Sequence, residues 1–150
     1  MSSPNTVLPA LTAVVFVVFL AIHVLRPATR VAWWLPALAS VAFLGFSIHA
    51  VATEGPLGFW TEHVRNAWGN QVWFDLLLSA SVGWTALLPR ARSAGMRPWV
   101  WAVALPLTGS VALLAMLARV LYLEGRSAEA ARSARAPAGS SLLAGEEVRS

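Results

Sequence analysis

Four long apolar stretches alternate with short polar segments along the chain. They cover residues 7–25, 31–51, 71–88 and 98–123. Each stretch approaches or exceeds the roughly 20 apolar residues that cross a hydrocarbon core about 30 Å thick. The pattern therefore predicts an all-α membrane protein, built as a bundle of four transmembrane helices.

The polar segment between the second and third stretches has a helical pattern of its own. It reads GPLGFWTEHVRNAWGN, with Leu57, Trp60, Val64 and Trp68 at helical spacing. Such a stripe is typical of a helix that lies in the membrane interface. We expect a short interfacial helix between the second and third transmembrane helices.

The last two apolar stretches are less regular than the first two. The third is short and contains Asp75, whereas the fourth is long and contains Arg119 and Pro106, where a helix can kink. After residue 124 the sequence becomes rich in Ala, Ser, Gly and Arg and contains no aromatic residue. We therefore predict a transmembrane domain over residues 1–124 and a disordered, flexible tail over residues 125–150.

Composition supports a membrane protein and excludes several functions. Hydrophobic residues make up 57% of the chain, charged residues 12%, and the mean hydropathy is +0.64. The absence of cysteine excludes disulfides and thiolate metal sites. The basic residues flank apolar segments and form no continuous face, which argues against nucleic-acid binding. The N-terminus lacks a basic region before its apolar stretch, so we expect no removable signal peptide.

The distribution of arginines predicts an orientation in the membrane. Basic residues concentrate in cytoplasmic loops, and the two linkers that follow the first and third stretches are richest in them. This places both termini outside a bacterial cytoplasmic (inner) membrane, although three arginines of the tail favour a cytoplasmic C-terminus. The linker arginines are Arg26, Arg30, Arg90, Arg92 and Arg97, against Arg65 in the remaining loop; those of the tail are Arg126, Arg132 and Arg135.

Asp75 requires a partner if it lies inside a membrane helix. An unpaired charge at the centre of such a helix costs roughly 2.5–3.5 kcal/mol on insertion scales. If the third and fourth stretches form an antiparallel hairpin, Asp75 and Arg119 lie toward the same membrane face. We therefore predict a structural ion pair between them, in a hairpin packed through small side chains. The packing residues would be Ser79, Gly83, Thr108, Ala112 and Ala115.

Further ionisable residues are expected near the same outer face, and three interpretations of them remain open. The favoured one is a non-catalytic accessory or structural membrane component whose polar residues are interfacial. The second is a membrane-embedded enzyme acting on an isoprenoid or quinone-like substrate, with Asp75, His49 and Glu62 as candidate catalytic residues. The third is a small proton- or ion-linked carrier that uses Asp75 and His49 as relays. The remaining members of this polar cluster are Glu54, His63, Tyr122 and Glu124.

No cofactor and no metal site is expected, because the histidines and carboxylates lack the close spacing of known ligand motifs. The bilayer itself is the predicted partner, together with a membrane protein or a second copy of the chain. No nucleic acid is expected.

A series of short motifs follows Asn66. They are WFDLL around Asp75, RARSAGMRPWVW over residues 90–101, Gly109-Ser110, and LYLEGR, which contains Glu124. In this order they resemble a family of small bacterial integral-membrane proteins of unknown function, over residues 66–124. The resemblance implies a helical membrane fold and no particular activity. Arg119 has no counterpart in that pattern, and the proline expected near the end of the last helix is absent.

Overall fold

All the secondary structure that the structure describes is helical. This computed structural model describes the backbone of residues 4–26 and 31–147 and the side chains of residues 7–26 and 31–135. Within these ranges the all-α prediction is confirmed. The six helices are α1 (Pro4–Leu25), α2 (Trp34–Glu54), α3 (Gly58–Val64), α4 (Ala67–Ser93), α5 (Pro98–Thr108) and α6 (Ser110–Glu147).

The chain divides into two compact units, of which the first contains α1. Two polar groups of α1 bond within the helix: Thr12 Oγ1 donates to the carbonyl of Leu8, and His23 Nδ1 to that of Phe19. Three helices in the described residues are long and apolar enough to cross a membrane, namely α1 over Val7–Leu25, α2 and α4. The fourth predicted span is not among them.

In the second unit, which begins at Ala32, α2 and α6 run antiparallel. Ser40 Oγ donates a hydrogen bond of 3.0 Å to the carbonyl oxygen of Val111. Nearer the start of α2, the rings of Trp33 and Tyr122 meet edge to face, with centroids 5.5 Å apart. Because a residue earlier in α2 meets a residue later in α6, the two helices point in opposite directions.

By the same reasoning, α4 and α6 run parallel. Gly83 lies against Leu113, because a Cβ atom at Gly83 would be 3.3 Å from Leu113 Cδ1. Further along both helices, Arg90 binds Glu124. Residues later in α4 therefore meet residues later in α6.

These pairings fix the direction of α5 and correct the prediction of a single span over residues 98–123. The helix α5 begins near Glu124, where α4 ends, and stops beside Ser110, where α6 begins. It therefore runs antiparallel to both neighbours, and α5 and α6 form a helical hairpin that turns at Gly109. The glycine has φ +56° and ψ −127°, a conformation that residues with a Cβ rarely adopt.

The end of α4 is set by a glycine motif. The amide of Gly95, at φ +72°, bonds to the carbonyl of Arg92, and the amide of Met96 to that of Ala91. This is the Schellman arrangement, in which a left-handed residue satisfies the last carbonyls of a helix. Pro98 then starts α5 at a position where a missing amide hydrogen costs nothing.

The core of the second unit lies where α4, α6 and the start of α5 meet. Small buried residues, Ala91, Ala112 and Ala118, allow the helices to approach closely. Inside a bilayer such packing rests on van der Waals contact, since lipid tails are as apolar as the side chains. The central cluster consists of Leu87, Ala91, Met96, Met116 and Val120.

Two further boundaries differ from the predictions. The helix between α2 and α4 is found, but it has seven residues and ends before Asn66, so Trp68 belongs to α4. The helix α6 continues to Glu147, into the segment whose composition predicts a tail. The side chains of residues 125–135 are exposed on that extension, and residues 148–150 of the predicted tail lie outside the described residues.

Candidate functional site

The polar groups of the second unit gather at its two ends. We call the "basic end" the one that holds the start of α2, the α4–α5 loop and Glu124. The "α3 end" is the opposite one, with the end of α2, helix α3 and the start of α4. The predicted outer-face cluster is divided between them, because Tyr122 and Glu124 lie at the basic end and the other members at the α3 end.

The basic end contains an ion pair that joins α4 to α6. Arg90 Nε donates to Glu124 Oε1 at 3.0 Å, and a terminal guanidinium nitrogen donates to Oε2 at 2.7 Å. The two parallel bonds make this a bidentate contact, the strongest arrangement for an arginine and a carboxylate. Hydrogen bonding from Arg90 holds the pKa of the Glu124 carboxyl below its usual range.

Aromatic contacts extend this pair toward α2. The Tyr122 ring lies between Trp33, in the edge-to-face contact described above, and the guanidinium carbon of Arg126, 5.8 Å from the ring centroid. A cation over an aromatic face is attracted by the ring quadrupole. The basic end thus ties α2, α4 and α6 together through side chains suited to the headgroup region.

Asp75 and Arg119 are not brought together. Both side chains are exposed, and the ion pairs present in residues 7–26 and 31–135 are Glu62–Arg65 and Arg90–Glu124. Because α4 and α6 are parallel, Asp75 lies toward the α3 end and Arg119 toward the basic end. The antiparallel hairpin on which the predicted pair depends is formed instead by α5 and α6.

Asp75 lies on the outward face of α4. Leu78 and Val82, three and seven residues further along the helix, are 67% and 70% exposed. Trp84 and Leu87, by contrast, belong to the core side. The carboxylate therefore points away from the helix packing of its own unit.

The predicted packing residues are distributed over several contacts. Gly83 lies against Leu113, and Ala112 is buried at 5% exposure. Ala115 is half-buried, whereas Ser79 is exposed. Thr108 is exposed at the end of α5, where its hydroxyl donates to the carbonyl of Ala104.

The α3 end contains a tight helical corner. Asn66 caps α4, its side-chain oxygen accepting a hydrogen bond of 2.9 Å from the amide of Gly69. A Cβ at Gly69 would lie 2.5 Å from the carbonyl oxygen of Glu62 and 2.7 Å from that of His63. Only glycine at this position allows the end of α3 to approach the first turn of α4 so closely.

His63 is held in this corner by two neighbours. Its Nδ1 donates to the carbonyl of Phe59, since a carbonyl can only accept. Its ring meets Trp73 edge to face, with centroids 5.1 Å apart. An open pocket of about 350 Å³ lies beside it. The lining residues are Glu62, His63, Arg65, Asn66, Trp68, Gly69 and Val72.

The pocket at the α3 end contains few side chains that could take part in catalysis or bind a metal ion. His49 and Glu54 are exposed on the last turns of α2, and neither lines the pocket. Within the part of the chain that the structure describes, no three histidine or carboxylate side chains come together to hold a metal ion. The pocket therefore offers one imidazole and one carboxylate, the latter already bound to Arg65 at 3.2 Å.

Three structurally important residues are not identified by the sequence: Arg90 and Gly69, which organise the two ends, and Ser40, which joins α2 to α6. The sequence pattern places Arg90 in a linker, although Gly95 and Pro98 together mark a helix end just beyond it. Gly69 resembles any other glycine near a helix start, and Ser40 resembles any other serine in an apolar helix. Only the contacts of Gly69 and Ser40 reveal their roles.

No family model, no curated protein and no solved structure matches this chain. The resemblance to a family of small bacterial membrane proteins stays a prediction.

Proposed function

We propose that this chain is a small polytopic membrane protein that serves as a non-catalytic accessory component and binds a partner membrane protein through the outward face of α4. The observation that carries this proposal is the position of Asp75. It is exposed on a helix long and apolar enough to cross a membrane, with exposed Leu78 and Val82 on the same face.

A carboxylate on a lipid-facing surface is costly, by roughly 2.5–3.5 kcal/mol near the centre of a helix. A partner helix that presents an arginine, a lysine or a hydrogen-bond donor at the same depth removes that cost. Polar residues hydrogen-bond in this way across membrane helices. The cost also makes the interaction selective, because a helix without such a group leaves Asp75 unsatisfied.

The interior of the second unit favours a structural role over a catalytic one. The centre between α4 and α6 is filled by Leu87, Met116 and Val120, and the open pocket at the α3 end is not lined by Asp75. An enzyme acting on a lipophilic substrate needs its acid in a cavity that the substrate can enter.

The proposed arrangement in the membrane has three crossings and one re-entrant hairpin. Helices α1, α2 and α4 cross, while α5, with 11 residues, extends about 16 Å and reaches roughly halfway. The chain turns at Gly109 and returns to the basic end through α6. By the positive-inside tendency the basic end is cytoplasmic in a bacterial inner membrane, the N-terminus is outside, and the C-terminal part of α6 is cytoplasmic.

Photo-crosslinking in the cells that naturally produce the protein tests the α4 face. A photoreactive phenylalanine is placed at Leu78, at Val82, or at Leu38 on α2 as a position of similar exposure. We expect one adduct of discrete mass from the two α4 positions and not from Leu38. Asp75→Leu should abolish the adduct, whereas Glu54→Gln, which removes another exposed acid at the α3 end, should not. An adduct that persists in Asp75→Leu contradicts the proposal.

A proton-linked carrier is the second candidate, because an exposed carboxylate at membrane depth can exchange protons. It predicts a proton flux in vesicles that hold the purified protein alone, lost in Asp75→Asn. The accessory role predicts the same flux for the wild type, the Asp75→Asn variant and empty vesicles.

A further inference from the structure

The basic end carries exposed arginines from two separate segments of the chain. Arg92 and Arg97 lie at the end of α4 and in the loop that follows, and Arg119 and Arg126 lie on α6. All four are exposed. The two pairs of arginines are far apart in the sequence. They share one end of the second unit because α6 runs back to the end at which α4 finishes. We call these four residues the "basic surface".

The charge of this surface is not cancelled by nearby acids. Residues 90–135 contain seven arginines against Glu124 and Glu129, and Glu124 is already bound by Arg90. The α3 end differs, since Glu54 and Glu62 outnumber Arg65 there. The second unit therefore has a positive end and a negative end.

Exposed aromatic side chains also lie at the basic end. Trp33 and Trp99 are 48% and 65% exposed, and Tyr122 lies beside Arg126. Such rings locate the headgroup region of a bilayer. Arginines at this depth meet phosphate groups, to which the guanidinium donates paired hydrogen bonds.

We propose that the basic surface binds the phosphate headgroups of anionic phospholipids in the leaflet around the basic end. Juxtamembrane clusters of arginine are attracted to anionic leaflets, and the chain, by turning back at Gly109, returns α6 to the end that holds the α4–α5 loop. This inference rests on the proposed re-entrant topology but not on a protein partner, so purified protein suffices to test it.

The first measurement tests the topology. The chain contains no cysteine, so single substitutions Ser93→Cys, Ser133→Cys and Thr53→Cys give unique labels for a membrane-impermeant maleimide. In sealed vesicles of uniform orientation, we expect the first two to react from one side and Thr53→Cys from the other. If Ser93→Cys and Ser133→Cys are labelled from opposite sides of the membrane, the arginines of α4 and α6 do not share one leaflet, and the proposal is wrong.

The second measurement tests the lipid. Thermal unfolding is recorded in nanodiscs of phosphatidylcholine alone and of phosphatidylcholine with phosphatidylglycerol. We expect the anionic lipid to raise the melting temperature of the wild type by about 5 °C, and 1 M salt to remove most of that rise. The variant Arg92→Gln/Arg97→Gln/Arg126→Gln should lose the rise, and Arg65→Gln, at the α3 end, should keep it.

Two outcomes of the second measurement contradict lipid binding even if the topology is confirmed. One is an equal melting temperature in both lipids for the wild type. The other is a full rise in the triple variant. Stabilisation of the wild type by free inorganic phosphate to the same extent identifies a site for the soluble anion and also contradicts the lipid. The adduct at Leu78 is measured separately, so failure here leaves the partner proposal intact.

Discussion

The guanidinium of Arg90 donates two hydrogen bonds to the carboxylate of Glu124, 34 residues further along the chain. This contact joins the last turn of α4 to α6. Both side chains remain about 40% exposed, so solvent screens the pair and its net contribution is about 1 kcal/mol. We expect Arg90→Glu and Glu124→Arg each to lower the free energy of unfolding by more than that, and the double swap to recover part of the loss. Thermal unfolding in detergent measures all three. If the double swap lowers the free energy of unfolding by the sum of the two single effects, Arg90 and Glu124 do not interact directly.

The same pair gives a pH dependence. The pKa of Glu124 is lowered in the folded protein by its hydrogen bonds with Arg90, so its contribution to stability is complete above the ordinary glutamate pKa of about 4.3. It is lost as the pH falls through the lowered value, because both states then bind the proton. We expect Glu124→Gln to destabilise the protein at pH 7 and to lose that difference in acid. An equal difference at every pH would argue that packing, and not charge, explains the effect.

Gly69 sets the angle between α3 and α4. A methyl group there would lie 2.5 Å from the carbonyl oxygen of Glu62, which is backbone and cannot rotate away. Gly69→Ala should therefore destabilise the corner by about 1–3 kcal/mol and alter the fluorescence of the tryptophans around it. Gly125→Ala is the matched control, since a Cβ there has nothing within 4 Å. It should be neutral or slightly stabilising.

Gly109 isolates the effect of backbone conformation from that of crowding. A Cβ at this position meets nothing within 4 Å, but φ +56° with ψ −127° is unfavourable for any residue that has one. We expect Gly109→Ala to cost about 1–3 kcal/mol of stability, measured by thermal unfolding. Gly45→Ala, in open space within α2, should instead stabilise by about 0.5–1 kcal/mol. Equal effects of the two substitutions would contradict the turn.

The helices α1, α2 and α4 could be predicted from the sequence because each contains one apolar run that approaches the length of a membrane span. The split of the fourth run could not, because the residues on both sides of Gly109 are equally apolar. A hydropathy profile reflects which residues are present, whereas the break between α5 and α6 depends on the positive φ of Gly109. Gly109-Ser110 was visible as a dipeptide, but glycine also occurs inside membrane helices without a turn, as Gly83 does here.

The candidate site was less predictable than the helices. The predicted Asp75–Arg119 pair requires α4 and its partner helix to run antiparallel. The additional turn of the chain at Gly109 makes α4 and α6 parallel instead. The sequence shows that Arg90 and Glu124 are charged residues near the ends of apolar stretches. Their contact depends on which ends coincide, and the linear pattern does not contain that information.

The buried hydrogen bond from Ser40 to Val111 implies an order of events during biogenesis. A helix as short as α5 cannot cross a bilayer alone, so it depends on contacts with neighbouring helices. The surfaces that receive the hairpin, on α2 and α4, lie earlier in the chain and leave the ribosome first. We therefore expect these helices to be in the membrane before the hairpin enters, so a ribosome stalled while α5 is still inside its exit tunnel would carry α2 and α4 inserted and α5 not yet docked.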